Sequence, residues 1–240
     1  MSVTEALPDT MLIGDLHFAV RESPRRATVG ITVDRDGSLY LQAPTGCPPE
    51  ALAAWAYSKR MWVYRKLAEK DLLLSARPAK EFVSGEGFAY LGRGHRLLVT
   101  DTDTDEVRME RGRLLLPRTA AAGPDPSAYL VRWYRARGRQ WLPGRLRPWT
   151  DRMGLFPTGL DVRDLGYRWG SLSANGRLNI HWATLQLPPS LIDYVLVHEL
   201  AHVAHPQHTP AFWATVERAM PDYERRKSDL LGAGARLWMG

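Results

Sequence analysis

The chain has 240 residues and a net charge of +6, with 45% hydrophobic and 24% charged residues. These proportions exclude a disordered or collagen-like chain and leave enough apolar material for a core, while the positive charge admits an anionic partner without demanding one. A lone cysteine, Cys47, excludes an internal disulfide, no run approaches the about 18 apolar residues of a membrane helix, and Glu5, Asp9 and Asp15 stand where a signal peptide would be basic and then apolar, so a soluble cytoplasmic protein is expected.

Ala27 to Val33 and Ser38 to Gln42 are short β-rich runs around Asp34-Arg35-Asp36-Gly37, whose Asp-Gly pair signals a hairpin. Pro48 and Pro49 introduce a helix to about Leu74, in which Leu52, Trp55, Ala56, Met61, Trp62 and Leu67 roughly follow helical spacing. Strand signals return from Phe82 to Thr100, broken by Gly92-Arg93-Gly94, and a further pair of short runs turns near Arg111-Gly112. Ala120 to Pro126 reads as a linker. It divides a β-rich N-terminal domain with one long helix, residues 1–125, from a second domain, residues 126–240. No internal repeat is visible in the sequence.

The second domain opens on a basic stretch. Between Tyr129 and Arg152, Trp133, Trp141 and Trp149 are interleaved with Arg132, Arg135, Arg137, Arg139, Arg145 and Arg147, with no acid before Asp151. Gly138, Pro143 and Gly144 are expected to interrupt any single helix here. Basic and aromatic interleaving fits a nucleotide or nucleic-acid patch. An amphipathic stretch with core tryptophans and solvated arginines is the favoured reading. Next come Trp169-Gly170-Ser171, a turn at Asn175-Gly176, and a strand from Arg177 to Trp182 that sets Asn179 and His181 opposite Leu178, Ile180 and Trp182. Two apolar helices follow. The fold class is α+β.

The first of these helices carries His198-Glu199-Leu200-Ala201-His202, an H-E-x-x-H pattern. Residues four apart share a helix face about 6 Å apart along the axis, so two imidazoles can converge on one ion. Glu199 can then reach a water at that ion without being a ligand. Pro188, Pro189 and Ser190 mark the helix start, Ser190 with Asp193 fits a capping box, and Pro206 ends the helix. Leucine, isoleucine, valine and alanine fill most other positions, so the helix should be buried. An unpaired buried carboxylate is costly, and a nearby divalent cation resolves that cost. Zinc needs a third protein ligand. His208, ten residues after His198, is the first candidate, and His205 and Glu217 are the alternatives. Thr209 and Pro210 would cap and begin the next helix.

The stretch Tyr194 to Trp213, YVLVHELAHVAHPQHTPAFW, closely resembles the YgjP-like and SprT-like zinc metallopeptidases. The resemblance extends to Met220-Pro221-Asp222-Tyr223, to Trp169-Gly170-Ser171 with Asn175 to Asn179, and to Gly85-Glu86 and Tyr90-Leu91-Gly92-Arg93. Leu172 follows Ser171 where members often carry cysteine, and no ligand position is touched by that departure. The resemblance implies a zincin-like C-terminal domain, helical with a small sheet, and a Zn2+ site on His198, His202 and His208. It makes Glu199 the catalytic acid/base and the chain a zinc-dependent metallopeptidase acting on peptide or protein.

By analogy with related folds, the strand Arg177 to Trp182 would pair with an extended substrate, bringing Asn179 and His181 to the cleft as substrate-binding residues. Tyr223 is a further candidate as oxyanion donor, and Trp169 and Ser171 as cleft wall and histidine partner. A metal-dependent nucleotide phosphoanhydride hydrolase is the alternative enzyme, favoured if arginines flank the cleft. A nucleic-acid-associated protein with a metal site is the non-catalytic alternative, acting through residues 129–152. No membrane partner is expected.

Overall fold

The computed structural model describes residues 7–33, 38–74, 80–102, 104–166, 168–234 and 237–239. Two compact units divide the chain at Ala76 and Arg77.

In the first unit, strands β1 (Thr10–Ile13), β2 (Leu16–Ser23), β3 (Gly30–Val33) and β4 (Leu39–Pro44) form a sheet in the order β1-β2-β4-β3. The expected strands around residue 34 thus pair antiparallel, Val33 opposite Leu39; the Asp34 to Gly37 turn lies outside the described residues. The expected single helix is two, α1 (Pro49–Ser58) and α2 (Arg60–Leu74). Lys59 leaves helical geometry at φ −97° and ψ 0°. That break resets the phase of the apolar face. Leu52, Ala56 and Val63 are buried, whereas Met61 and Trp62 are 65% and 42% exposed.

The second unit begins with β5 (Gly87–Tyr90), β6 (Arg93–Thr100), β7 (Arg108–Glu110) and β8 (Arg113–Pro117), ordered β5-β6-β8-β7. Both hairpin turns place two residues at positive φ, Leu91-Gly92 and Arg111-Gly112. This geometry matches the twist of the flanking strands. The order and sense of pairing repeat those of the first sheet: two antiparallel hairpins joined by a parallel central pair. After α3 (Arg118–Ala121), Asp125 caps α4 (Pro126–Met153) by accepting from the Ala128 N–H at 3.1 Å.

The expected boundary near residue 125 falls inside this unit. Leu97, Leu114 and Leu116 share one buried cluster with Leu130, Tyr134, Leu196 and Leu200. Nor is α4 interrupted. Leu130, Tyr134, Gly138, Leu142, Leu146 and Thr150 form a buried stripe at every fourth position. Gly138 permits the close approach, since a Cβ there would lie 3.0 Å from Val162 and 3.1 Å from Leu185. Pro143 and Pro148 lie on the exposed face, so the carbonyls they leave unpaired are at the solvent side.

Strands β9 (Gly159–Arg163), β10 (Gly170–Leu172) and β11 (Arg177–His181) form a third sheet in the order β10-β11-β9. A 3₁₀ turn, Trp182–Gln186, leads into α5 (Pro189–Ala204), followed by α6 (Pro210–Ala219) and α7 (Tyr223–Gly234). The β5–β6 turn docks at the start of α5. Leu91 and Gly92 donate to the Leu185 and Gln186 carbonyls at 2.7 and 3.2 Å. A Cβ on Gly92 would come within 2.8 Å of Pro188. The capping box expected of Ser190 and Asp193 does not form, because Pro188 occupies the cap position. Asp193 instead takes both arms of Arg145 from α4, at 2.6 and 2.5 Å. Among the described residues, no helix is long and apolar enough to cross a membrane.

Candidate metal centre

Helix α5 sets His198 and His202 one turn apart, with ring centroids 5.2 Å from each other. The chain leaves the helix at His205, which is extended at φ −132°, and Pro206 prevents resumption. His208 then returns, its ring 4.9 Å from His198 and 4.8 Å from His202. Thr209 accepts from the Phe212 N–H and starts α6 with Pro210 at its first position, as expected from the sequence. Phe212, fully buried, packs against all three rings at 4.7 to 5.0 Å. One nitrogen from each histidine lies within 4.8 Å of the others, and His208 Nε2 stands 3.0 Å from His198 Nε2. Three nitrogens bound to one zinc ion at about 2.1 Å would stand about 3.4 Å apart, so small side-chain adjustments suffice.

The protonation states suit a cation. Burial, aided by His208, His202 and Lys227, pushes the His198 imidazole down to about 3. Burial also lowers His208, with His202 and Lys227 contributing. Both rings are therefore neutral at pH 7 and keep a lone pair to donate. His202 Nδ1 gives its proton to the His205 carbonyl at 3.0 Å, which leaves Nε2 as its free acceptor. The His205 ring itself is held by Thr215 Oγ1 at 3.1 Å, and Glu217 is exposed on α6. Of the three candidates for a third ligand, His208 is the one placed beside His198 and His202.

Glu199 is 7% exposed, and burial pushes its carboxyl up to about 7, with Arg168 pulling the other way. Gly170 lies directly against it. A Cβ at that position would be 2.5 Å from Glu199 Cγ and 2.8 Å from Oε1. The glycine in Trp169-Gly170-Ser171 is thus a packing requirement of the carboxylate, a role the sequence reading missed. Tyr194, one turn before His198 on the same face, places its ring 6.0 Å from the His198 ring.

A cavity of about 870 Å³ opens beside the histidines, walled by Arg168 to Ala174, by α5 and by Lys227, Leu230 and Leu231 of α7. Trp169 and Ser171 line it as expected. Among the described residues Ser171 makes no hydrogen bond to a histidine ring; its carbonyl accepts from Asn179. Asn179 and His181 do not reach the cavity. They are 5% and 1% exposed on β11, the central strand, where Asn179 bonds backbone carbonyls and His181 Nδ1 accepts from the Ala183 N–H. The strand expected to receive substrate has a neighbour on both sides. Its partner β10 is the edge strand beside the site. Tyr223 stacks on Trp213 at 5.5 Å and does not line the cavity.

A model of the family described as YgjP-like, metallopeptidase domain, matches residues 27–232. The chain belongs to this family. As a YgjP-like metallopeptidase it is a metal-dependent hydrolase, which implies a divalent metal and peptide or protein substrates. No match is found among curated proteins. Among solved structures, the metallopeptidase zymogen of Pyrococcus abyssi abylysin is similar at 24% identity, covering 40% of this chain and 96% of that chain, with a TM-score of 0.37.

Proposed function

We propose that this YgjP-like chain is a zinc peptidase with a zincin-like C-terminal half, in which His198, His202 and His208 hold the ion and Glu199 is the general acid/base. The observation that carries this reading is the convergence of three histidines, two of them kept neutral by burial, beside a buried carboxylate on the same helix. An all-imidazole donor set suits zinc among the common divalent ions. Zinc held there would supply Lewis acidity toward a water molecule and toward the substrate carbonyl.

The chain's own groups supply the rest. Glu199 accepts a proton from the attacking water and returns it to the leaving amine. Its ordinary carboxylate pKa would make it a weak base at neutral pH; burial brings it close to the working range. Edge strand β10 offers the substrate its backbone. His181 N–H bonds the Trp169 carbonyl, and Ser173 N–H bonds the Arg177 carbonyl. In an antiparallel pair such bonded positions alternate, so Gly170 and Leu172 turn their N–H and C=O away from β11. An extended peptide can pair with them across the cavity.

The phosphoanhydride reading called for arginines at the cleft. Arg168 lines the cavity, but none of those between 129 and 152 does, and Leu172, Val195, Val203, Leu230 and Leu231 line it beside the edge strand β10, so peptide is favoured.

Purified protein is expected to carry about one zinc per chain. A chelator should abolish peptide cleavage and added zinc should restore it. Glu199→Gln should retain the ion and lose about 10²–10⁴-fold in kcat. Full activity in that variant would remove the mechanism.

A further inference from the structure

Lys227, on α7, lines the same cavity as the three histidines. Its ammonium lies 4.4 Å from the centroid of the Trp213 ring. That indole in turn stacks on His208, with centroids 5.7 Å apart and planes 23° apart, and stands 5.8 Å from His198. Tyr223, one turn earlier on α7, stacks on the same indole. The Lys227 ammonium is therefore held against an indole that lies behind the histidines, on a residue that itself lines the cavity.

The acids of α7 and its approach are committed elsewhere. Asp222 holds Arg225 and Arg226, Asp229 holds Arg225, and Glu224 accepts from Tyr223. Glu199, the acid inside the cavity, is packed under Gly170. Among the described residues no carboxylate lies within ion-pair distance of Lys227. Lys227 and Arg168 are the two basic side chains lining the cavity beside the histidines, against the single acid Glu199, and a walled cleft focuses that positive charge onto whatever enters. The potential selects for negative charge on the substrate.

We infer that Lys227 is a specificity residue that binds a substrate carboxylate, either an Asp or Glu side chain or the C-terminal carboxylate, within a few residues of the scissile bond. The inference rests on the peptidase reading above and names its substrate class. Leu172, Leu230 and Leu231 also line the cavity, so an apolar residue accompanying that carboxylate would fit it.

The test is equilibrium binding of peptides to zinc-loaded Glu199→Gln protein, which separates recognition from turnover. The probes are hexapeptides of one apolar sequence carrying Glu or Gln at successive positions, each with a free-acid or an amidated C-terminus. The expected result is about fivefold tighter binding of one carboxylate-bearing peptide than of its neutral counterpart, the size of one partly screened ion pair. The Glu/Gln series and the acid/amide series tell the two sources of carboxylate apart. Adding Lys227→Met, which keeps an unbranched apolar side chain there, should reduce that ratio to about one, and Lys227→Glu should invert it in favour of a Lys-bearing peptide. An unchanged ratio in Lys227→Met, or equal binding of all peptides to the parent protein, would overturn the inference. Cleavage of the same peptides by the wild-type chain is measured separately. Carboxylate discrimination without cleavage would count against the peptidase reading and leave the role of Lys227 standing.

Discussion

At the residue scale, Gly170 sets the tightest limit on the site. Alanine there would bring a Cβ within 2.5 Å of Glu199 Cγ, and the rigid β10 backbone cannot retreat without breaking its pairing with β11. The carboxylate must move instead. Since displacing a catalytic group by about 1 Å can cost about 10²-fold, Gly170→Ala should lower kcat/KM by that order while leaving zinc content unchanged. Steady-state kinetics with a parallel metal assay checks this.

Glu199 also leaves a signature on stability in chelated protein. Its folded pKa, about 7, is above its ordinary 4.5, so the folded state binds the extra proton and stability falls as pH rises through that window. His198 works oppositely. Its pKa is lowered from 6.5 to about 3, so stability is lost as pH falls through that range. Substituting Glu199 by Gln isolates the first effect. The variant's stability relative to wild type should grow between pH 4.5 and 7 by about 1–3 kcal/mol, measured by urea unfolding at each pH.

At the element scale, α4 and α5 are tied by charge as well as by packing. Asp193 has a side chain only 6% exposed, and both of its oxygens are taken by Arg145, itself 41% exposed. Arg145→Met should cost about 1–2 kcal/mol, below the usual cost of breaking a buried pair because the arginine is partly solvated. Chemical denaturation reads this directly. Gly138 is the second tie. A larger side chain would press on Val162 and Leu185, so Gly138→Leu should destabilise by about 1–3 kcal/mol despite the better helix propensity of leucine. Helical propensity alone predicts the opposite sign, which makes the thermal melting shift a clear readout.

At the scale of the whole molecule, the cavity, the three histidines and one continuous core all lie between residues 77 and 240. A fragment starting at Arg77 is expected to fold, bind zinc and melt cooperatively, which circular dichroism and a metal assay would show; failure to fold would mean that the first 76 residues are needed for this core. The two four-stranded sheets repeat one topology without a repeat in the sequence. Pairing order depends on which strands meet, and many side-chain patterns satisfy the same order.

The sequence by itself determined what is local. H-E-x-x-H on an apolar helix, His208 after a proline stop, the Thr209-Pro210 helix start and the glycine turns at 92 and 112 all rest on contacts within about ten residues, where spacing dictates geometry. The tertiary structure decided what depends on distant partners. Only the sheet order shows that β10, not the strand carrying Asn179 and His181, is the free edge at the site. Only packing against Val162 and Leu185 shows that Gly138 sits within one unbroken helix rather than at its end. Burial of an apolar stripe outweighs a glycine's poor helix propensity, and strand neighbours are chosen by long-range pairing; a local pattern records neither.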